Sequence, residues 1–398
     1  MPLLLSPARL IGGGDQQSGS YNNKQIRMAV SVFFFCQGLC FSAWASRIPD
    51  IKGALQLTDA ALGSILFALP AGQLTAMPFS GKLVTHFGSK KVLRICLVLY
   101  AICLTNMGLA TQPWHLAVAL FFFGVCGNMC NISVNTQAIG AEKLYGRPIM
   151  TSFHGVWSTA GFTGAAISFL LVSQHISPYM HFWIVAITVF IAVVLSQRYL
   201  QSGRSSVKPE KKKFFSKPNG ALVQLGIIGF CSMASEGAMF EWSGVYLKQV
   251  VGAPEKLTMI GFGAFMVMMA SGRFLGDKLI QQFGRKSMLR ISGIMVSSGL
   301  FISVLFPYLL TTIIGFLIVG LGVSSIVPMV YSSAGKIPKI PPGIALASVS
   351  SISFLGFLIG PPLIGYIAEI SSLRYSFAVI GLLGFGIAMM VSKLKAIH

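Results

Sequence analysis

Stretches of about twenty mainly apolar residues, the length a helix needs to cross hydrocarbon, recur twelve times along this chain. They lie near residues 27–46, 60–81, 92–110, 114–138, 151–172, 179–196, 221–247, 258–276, 288–306, 308–334, 344–368 and 374–392. A soluble domain carries about 25% charged residues, whereas 10% of these 398 residues are charged and 54% are hydrophobic. Most of the surface must therefore face lipid. Helices suit that environment because each satisfies its own backbone hydrogen bonds, so the expectation is an all-α polytopic membrane protein.

The net charge of +20 does not mark a nucleic-acid binder, which needs its basic residues gathered on one soluble face. Here they lie between apolar runs, and their distribution sets orientation instead. With the termini and alternate loops placed in the cytoplasm, all but Arg47, Lys52, Lys248, Lys256 and Arg374 of the 30 basic residues fall on that side, as the positive-inside rule requires. Both termini are expected to be cytoplasmic and the number of spans even. Leu3 to Leu5 is shorter than the roughly 7–15 apolar residues of a secretory signal, so residues 1–25 read as a polar tail. The seven cysteines sit in apolar segments without a C-x-x-C pair, which fits helix packing better than disulfides or metal.

Residues 197–220 contain Lys211, Lys212 and Lys213 among seven basic residues and have the composition of a linker. The sequences on either side match at an offset of 196 residues, with 7 of 13 positions identical between 82–94 and 278–290. Such self-similarity marks an internal repeat. The expected organisation is a tail (1–25), a six-helix bundle (26–196), a basic linker (197–220), a second six-helix bundle (221–393) and a short tail (394–398).

Gly81, Lys82 and Leu83, followed by Phe87-Gly88-Ser89-Lys90-Lys91, resemble the loop signature of the major facilitator superfamily. The second half repeats it as Gly272-Arg273, Gly276-Asp277 and Phe283-Gly284-Arg285-Lys286. Thr85 departs from the signature, which usually has an acid there. Ala43 to Pro49, Glu236 to Trp242 and Gly360 to Tyr366 are similar to the branch that holds fucose-permease-like carriers and the rhizopine transport protein. The resemblance implies twelve spans in two bundles, and Gly81, Gly88, Lys90, Gly272, Arg273, Asp277, Gly284 and Arg285 as the conformational loop motif. Carriers of this class rock their halves around a midplane site.

Of the ten acids, only Glu236 and Glu241 lie inside a span. A carboxylate at membrane depth is costly and normally faces the protein interior or a wet cavity. Both are candidates for proton coupling, Glu236 the deeper one, and a structural ion pair is the alternative. Asn128, Asn131 and Asn135 share one helix face by their spacing, and their amides suit the hydroxyls of a sugar or polyol as well as bonds to neighbouring helices. The resemblance implies that the first, fourth, seventh and tenth spans line the cavity. That adds Gln37, Ser324 and Tyr331 to Asn128, Asn131, Asn135 and Glu236 as candidate substrate contacts. His154 is a candidate gate or relay, and Gly356, Gly360 and Gly365 around Pro361-Pro362 a candidate flexing element.

No P-loop, H-E-x-x-H or nucleophile elbow is present, so neither an enzyme nor a cofactor is expected. The reading is a secondary active transporter of a small polar organic solute, sugar- or polyol-like, driven by protons and acting as a monomer in the cell membrane. An exporter of amphipathic compounds is the alternative, although the fifth span lacks the Gly-Pro motif expected of one. A receptor or scaffold would need a sizeable folded loop or tail.

Overall fold

The computed structural model describes residues 22–146, 149–202, 220–335, 337, 340 and 342–393, so the two tails up to residue 21 and from 394, and most of the linker, lie outside it. Among the described residues the chain is helical and forms no strand. The first side of the chain contains α1 (Asn23–Ala54), α2 (Asp59–Leu66), α3 (Ala68–Phe87), α4 (Ser89–Met107), α5 (Pro113–Tyr145), α6 (Met150–Ser173) and α7 (Pro178–Ser196). The second contains α8 (Gly220–Gln249), α9 (Thr258–Phe283), α10 (Arg285–Leu305), α11 (Leu309–Val323), α12 (Ile326–Ala334), α13 (Pro342–Ile370) and α14 (Leu373–Lys393).

Eleven helical segments are long and apolar enough to cross a membrane, with α2 and α3 counted together as Asp59–Phe87 and α11 and α12 as Leu309–Ala334. Proline explains both interruptions, because it has no N–H for the residue four back. Pro70 leaves the Leu66 carbonyl without that bond where α2 ends, and Pro328 does the same to Ser324 between α11 and α12. The remaining helix of comparable length, α4, has 19 residues and carries Lys90, Lys91 and Arg94 in its first two turns.

The expected loops at 82–91 and 277–287 prove to be mostly helix. Each reverses at one glycine, Gly88 (φ 83°) or Gly284 (φ 75°), a conformation that side chains with a Cβ rarely adopt. The Gly88 N–H donates to the Val84 carbonyl at 3.0 Å and the Gly284 N–H to the Ile280 carbonyl at 2.9 Å. Counting apolar residues alone had ended these helices early, since their polar final turns continue beyond the hydrocarbon.

Glycines also set the closest crossings. A Cβ at Gly124 in α5 would strike the Leu69 carbonyl of α3, and one at Gly320 in α11 would strike the Phe265 carbonyl of α9. Small residues of this kind let membrane helices approach backbone to backbone. Packing is densest within each side: α1 on α6 and α3 on α5 in the first, α8 on α13 and α10 on α14 in the second. Across the sides, α6 meets α9, α2 meets α13 and α1 meets α8.

Candidate functional site

Glu236 and Glu241 sit on α8, where they are 7% and 6% exposed. The sequence makes α8 helical through an apolar stretch, so both carboxylates are carried into the bundle by their neighbours. Glu236 accepts one described hydrogen bond, from Ser232 one turn earlier at 3.5 Å. Glu241 Oε2 is buried without a hydrogen-bond partner. The aromatic surroundings are dense, with Phe240 between them edge-on to Phe41 of α1 at 5.2 Å and stacked with Phe357 of α13 at 6.1 Å.

Arg273 of α9 lies within electrostatic range of Glu236, with no described ion pair or hydrogen bond between them. The sequence placed Arg273 in a loop motif, yet Gly272 to Asp277 lie inside α9, before its end at Phe283. The Arg273 Nη1 donates to Ser158 Oγ of α6 at 2.7 Å, a bond between the two sides of the molecule. Ser158 is fully buried and its hydroxyl also donates to the His154 carbonyl at 3.2 Å. Tyr331, on α12, interacts electrostatically with Glu236, and His154 with Arg273. Arg273 and Ser158 are thus bonded across the two sides, with Glu236 and His154 within electrostatic range of Arg273 and Tyr331 within that of Glu236. Sequence reasoning missed Ser158, since one serine among many carries no pattern.

The amide stripe is distributed more widely. Asn128 accepts from Ser80 of α3 at 2.8 Å, and Gln37 of α1 donates to the Gly127 carbonyl beside it at 3.2 Å. Asn135 donates to the carbonyl and side-chain oxygens of Asn131, both at 2.7 Å. Asn131 is exposed. Ser324 is 3% exposed, bonds its own helix at the Leu321 carbonyl and packs on Gly272. The break before α12 separates it from Tyr331, so their spacing of seven does not lie on one uninterrupted helix.

In the loop motif, Lys90 Nζ reaches the Arg198 carbonyl at 3.4 Å. Gln137 of α5 fastens the same region, donating to Ser89 at 2.8 Å and exchanging bonds with the Gln201 backbone. Thr85 turns back on its own helix, donating to the Gly81 carbonyl at 2.8 Å. Beyond its own stretch of helix, no described atom lies within 4 Å of where a Gly81 Cβ would be. Gly88 and Gly284 form the two turns, and Arg285 begins α10. The side chain of Asp277 lies outside the described residues.

The opposite end of the bundle, where α2 begins, is tied across the two sides. The Ala60 N–H donates to Glu369 at 3.1 Å, Ser64 and Tyr366 share a hydrogen bond at 2.9 Å, and Gln249 donates to Asp59 at 3.3 Å. Lys52 pairs with Asp59 at 2.7 Å. Gly63 packs against the Pro361 carbonyl and Gly365, which brings the proline pair of α13 onto α2. Nearby, Arg47 joins Asp50 at 2.7 Å, the Ile176 carbonyl at 2.8 Å and His181 at 3.2 Å, holding α1 to α7 within its own side.

Two helical sides around a polar seam, with glycine reversals at matching positions, have the form of a membrane transporter. The chain belongs to the major facilitator superfamily, whose profile matches residues 30–339, and it is a multi-pass membrane protein. It is 32% identical over 368 residues to the uncharacterized transporter y4wD of Sinorhizobium fredii, covering 92% of this chain and 97% of that one. It is also 29% identical over 349 residues to the membrane protein MosC of Rhizobium meliloti, covering 86% of this chain and 83% of MosC. Among solved structures, a mutant of the nucleoside transporter NupG superposes with a TM-score of 0.78 at 13% identity, covering 92% of this chain and 99% of NupG. A D-xylose–proton symporter superposes with a TM-score of 0.75 at 12% identity, covering 94% and 98%.

Proposed function

We propose that this protein is a secondary carrier that moves a small polar organic solute, sugar- or polyol-like, by alternating access, with a proton carried on Glu236. The observation that supports it most is Glu236 itself, a buried carboxylate with one long hydrogen bond, beside an arginine that reaches the other side of the molecule. Transfer of a proton to such a group changes the charge of the seam, and that is a means of linking a gradient to a change of shape. The amides of Asn128, Asn131 and Asn135 and the Tyr331 hydroxyl supply donors and acceptors for hydroxyl-rich solutes. The fold neighbours named for a nucleoside and for D-xylose agree with a hydroxylated cargo.

In this reading α4 is the twelfth span, residues 26–196 and 221–393 are the two rocking units, and both termini face the cytoplasm of a monomer in the plasma membrane. The ties around α2 then close the outer end, and energy comes from gradients rather than from catalysis. The test is pH-gradient-driven uptake in proteoliposomes with a panel of sugars, polyols and amphipathic cations, comparing wild type with Glu236→Gln. Accumulation of a polar solute that is lost in the variant supports the proposal. Unchanged accumulation in the variant removes Glu236 from coupling, and movement of amphipathic cations alone replaces the importer with an exporter.

A further inference from the structure

The polar ties between the two sides are unevenly placed. Among the described residues, three side-chain hydrogen bonds across the sides surround α2, and the fourth is Arg273 to Ser158 on the α6–α9 seam. The first three involve exposed groups. The fourth ends on a fully buried hydroxyl and begins on a permanent charge, and hydrogen bonds from charged donors are the stronger ones.

We propose that Arg273 is a positioning residue of the transport cycle: its guanidinium, bonded to Ser158 of the other side and within electrostatic range of Glu236 of its own, makes opening of the α6–α9 seam depend on a proton at Glu236. This rests on the reading of Glu236 as the proton carrier and adds the group through which its charge reaches the other side.

The physical argument is one of compensation. With Glu236 ionised, the guanidinium and carboxylate offset each other and the seam can stay closed over both. A proton on Glu236 leaves the arginine as an uncompensated charge in a poorly solvated place, which is strongly unfavourable. Ser158 can solvate it only in part, with one oxygen for a group that has five N–H donors. Parting α6 from α9 admits water to the guanidinium and relieves that cost. Elsewhere the seam is apolar, with Phe274 seated on Gly155 and Met266 on Gly161, so parting it breaks one described side-chain hydrogen bond, that from Arg273 to Ser158.

Other groups facing Arg273 do not supply this response. His154 on α6 is a cation when protonated and repels Arg273, so acidification there also favours opening and must be controlled for. Tyr331 on α12 acts through Glu236. Among neighbouring helices, α8 also carries Lys248 at its end and the buried Glu241, so Glu241→Gln must, like His154→Gln, keep the wild-type response; α11 has no charged residue, and the charges of α1 (Lys24, Arg27, Arg47, Asp50, Lys52) and α10 (Arg285, Lys286, Arg290) lie towards their ends.

The test uses the full chain in nanodiscs with spin labels at Ser152→Cys on α6 and Lys278→Cys on α9, in a background without other cysteines. Distances are recorded at acid and alkaline pH, and solute exchange and pH-driven accumulation are measured in proteoliposomes. Wild type and His154→Gln should both lengthen on acidification. Glu236→Gln should be long at either pH. Arg273→Gln should not respond to pH and should lose about tenfold or more in accumulation. Arg273→Lys, which keeps the charge, should recover part of the pH response. A wild-type distance that ignores pH, or an Arg273→Gln variant that responds like wild type, overturns the proposal. If no solute of the panel is carried but the distances behave as stated, the seam proposal stands and the solute reading fails. Thermal unfolding of each variant identifies loss of fold, and Ser158→Ala, which removes only the acceptor, then decides: it should lengthen the distance at alkaline pH, and an unchanged distance counts against the latch.

Discussion

The two sides of the molecule share a scaffold and differ in chemistry. At the offset of 196 residues, Gly124 on the Leu69 carbonyl corresponds to Gly320 on the Phe265 carbonyl, and the Gly88 turn corresponds to the Gly284 turn. Asn128 and Asn135 correspond in the same way to Ser324 and Tyr331. The charges of the seam do not repeat: Glu236 and Arg273 correspond to Cys40 and Met77. Positions where one backbone touches another accept only glycine and so stay alike, whereas a side chain facing the seam is free to change its chemistry. The first side offers neutral amides and the second a buried carboxylate and a guanidinium, and the proposed carrier would use the first for the solute and the second for the proton.

Breaking the shared scaffold should have the largest effect. Gly124→Leu and Gly320→Leu should each prevent accumulation of folded protein, and the milder alanine variants should cost about 1–3 kcal/mol apiece, read as thermal unfolding of purified protein in detergent. Similar losses at both sites are expected, and tolerance at one would end the equivalence. Charge comes next: Glu236→Gln should reduce pH-driven accumulation by about tenfold or more, whereas Cys40→Ala at the matching position should leave it near wild type. A smaller effect is expected at the matched polar pair. Asn128→Ala removes the acceptor for Ser80 on another helix and should destabilise by about 0.6–1.7 kcal/mol. Ser324→Ala should be nearly neutral, because its hydroxyl bonds its own helix.

The spans were legible because their physical cause, the thickness of the hydrocarbon, acts on each one locally. The repeat was legible because the turn sequences around Gly88 and Gly284 are nearly the same. Helix ends were less so: α3 runs on to Phe87 and α4 begins at Ser89, since a polar turn outside the hydrocarbon leaves no apolar signal. The Pro328 break between Ser324 and Tyr331 could be expected as a kink but its effect on their common face could not. Arg273 shows the limit most clearly. Its neighbours Gly272, Gly276 and Asp277 look like part of a loop signature, and only the packing of α9 on α6 reveals that the guanidinium meets Ser158. Partners chosen by the crossing of two distant helices leave no spacing in the sequence.

The smallest effect concerns the ends of the molecule rather than its halves. Ser64 and Tyr366 share a hydrogen bond at 2.9 Å, with Tyr366 56% exposed, so water can replace what Tyr366→Phe removes. A polar bond between membrane helices averages about 0.6 kcal/mol, which corresponds to about a threefold shift in a two-state equilibrium. Tyr366→Phe should therefore raise the population open at the α2 end by about that factor, read from spin labels at Ala54→Cys and Ile370→Cys, which are both exposed. The packing of Gly63 against Gly365 and the bond from Ala60 to Glu369 remain in the variant, so the end should still be mostly closed. No shift would assign closure to that packing alone; a shift far above threefold would mean that the hydroxyl pair governs the whole α2 end, and the contrast between a lightly tied end and a charged seam would no longer hold.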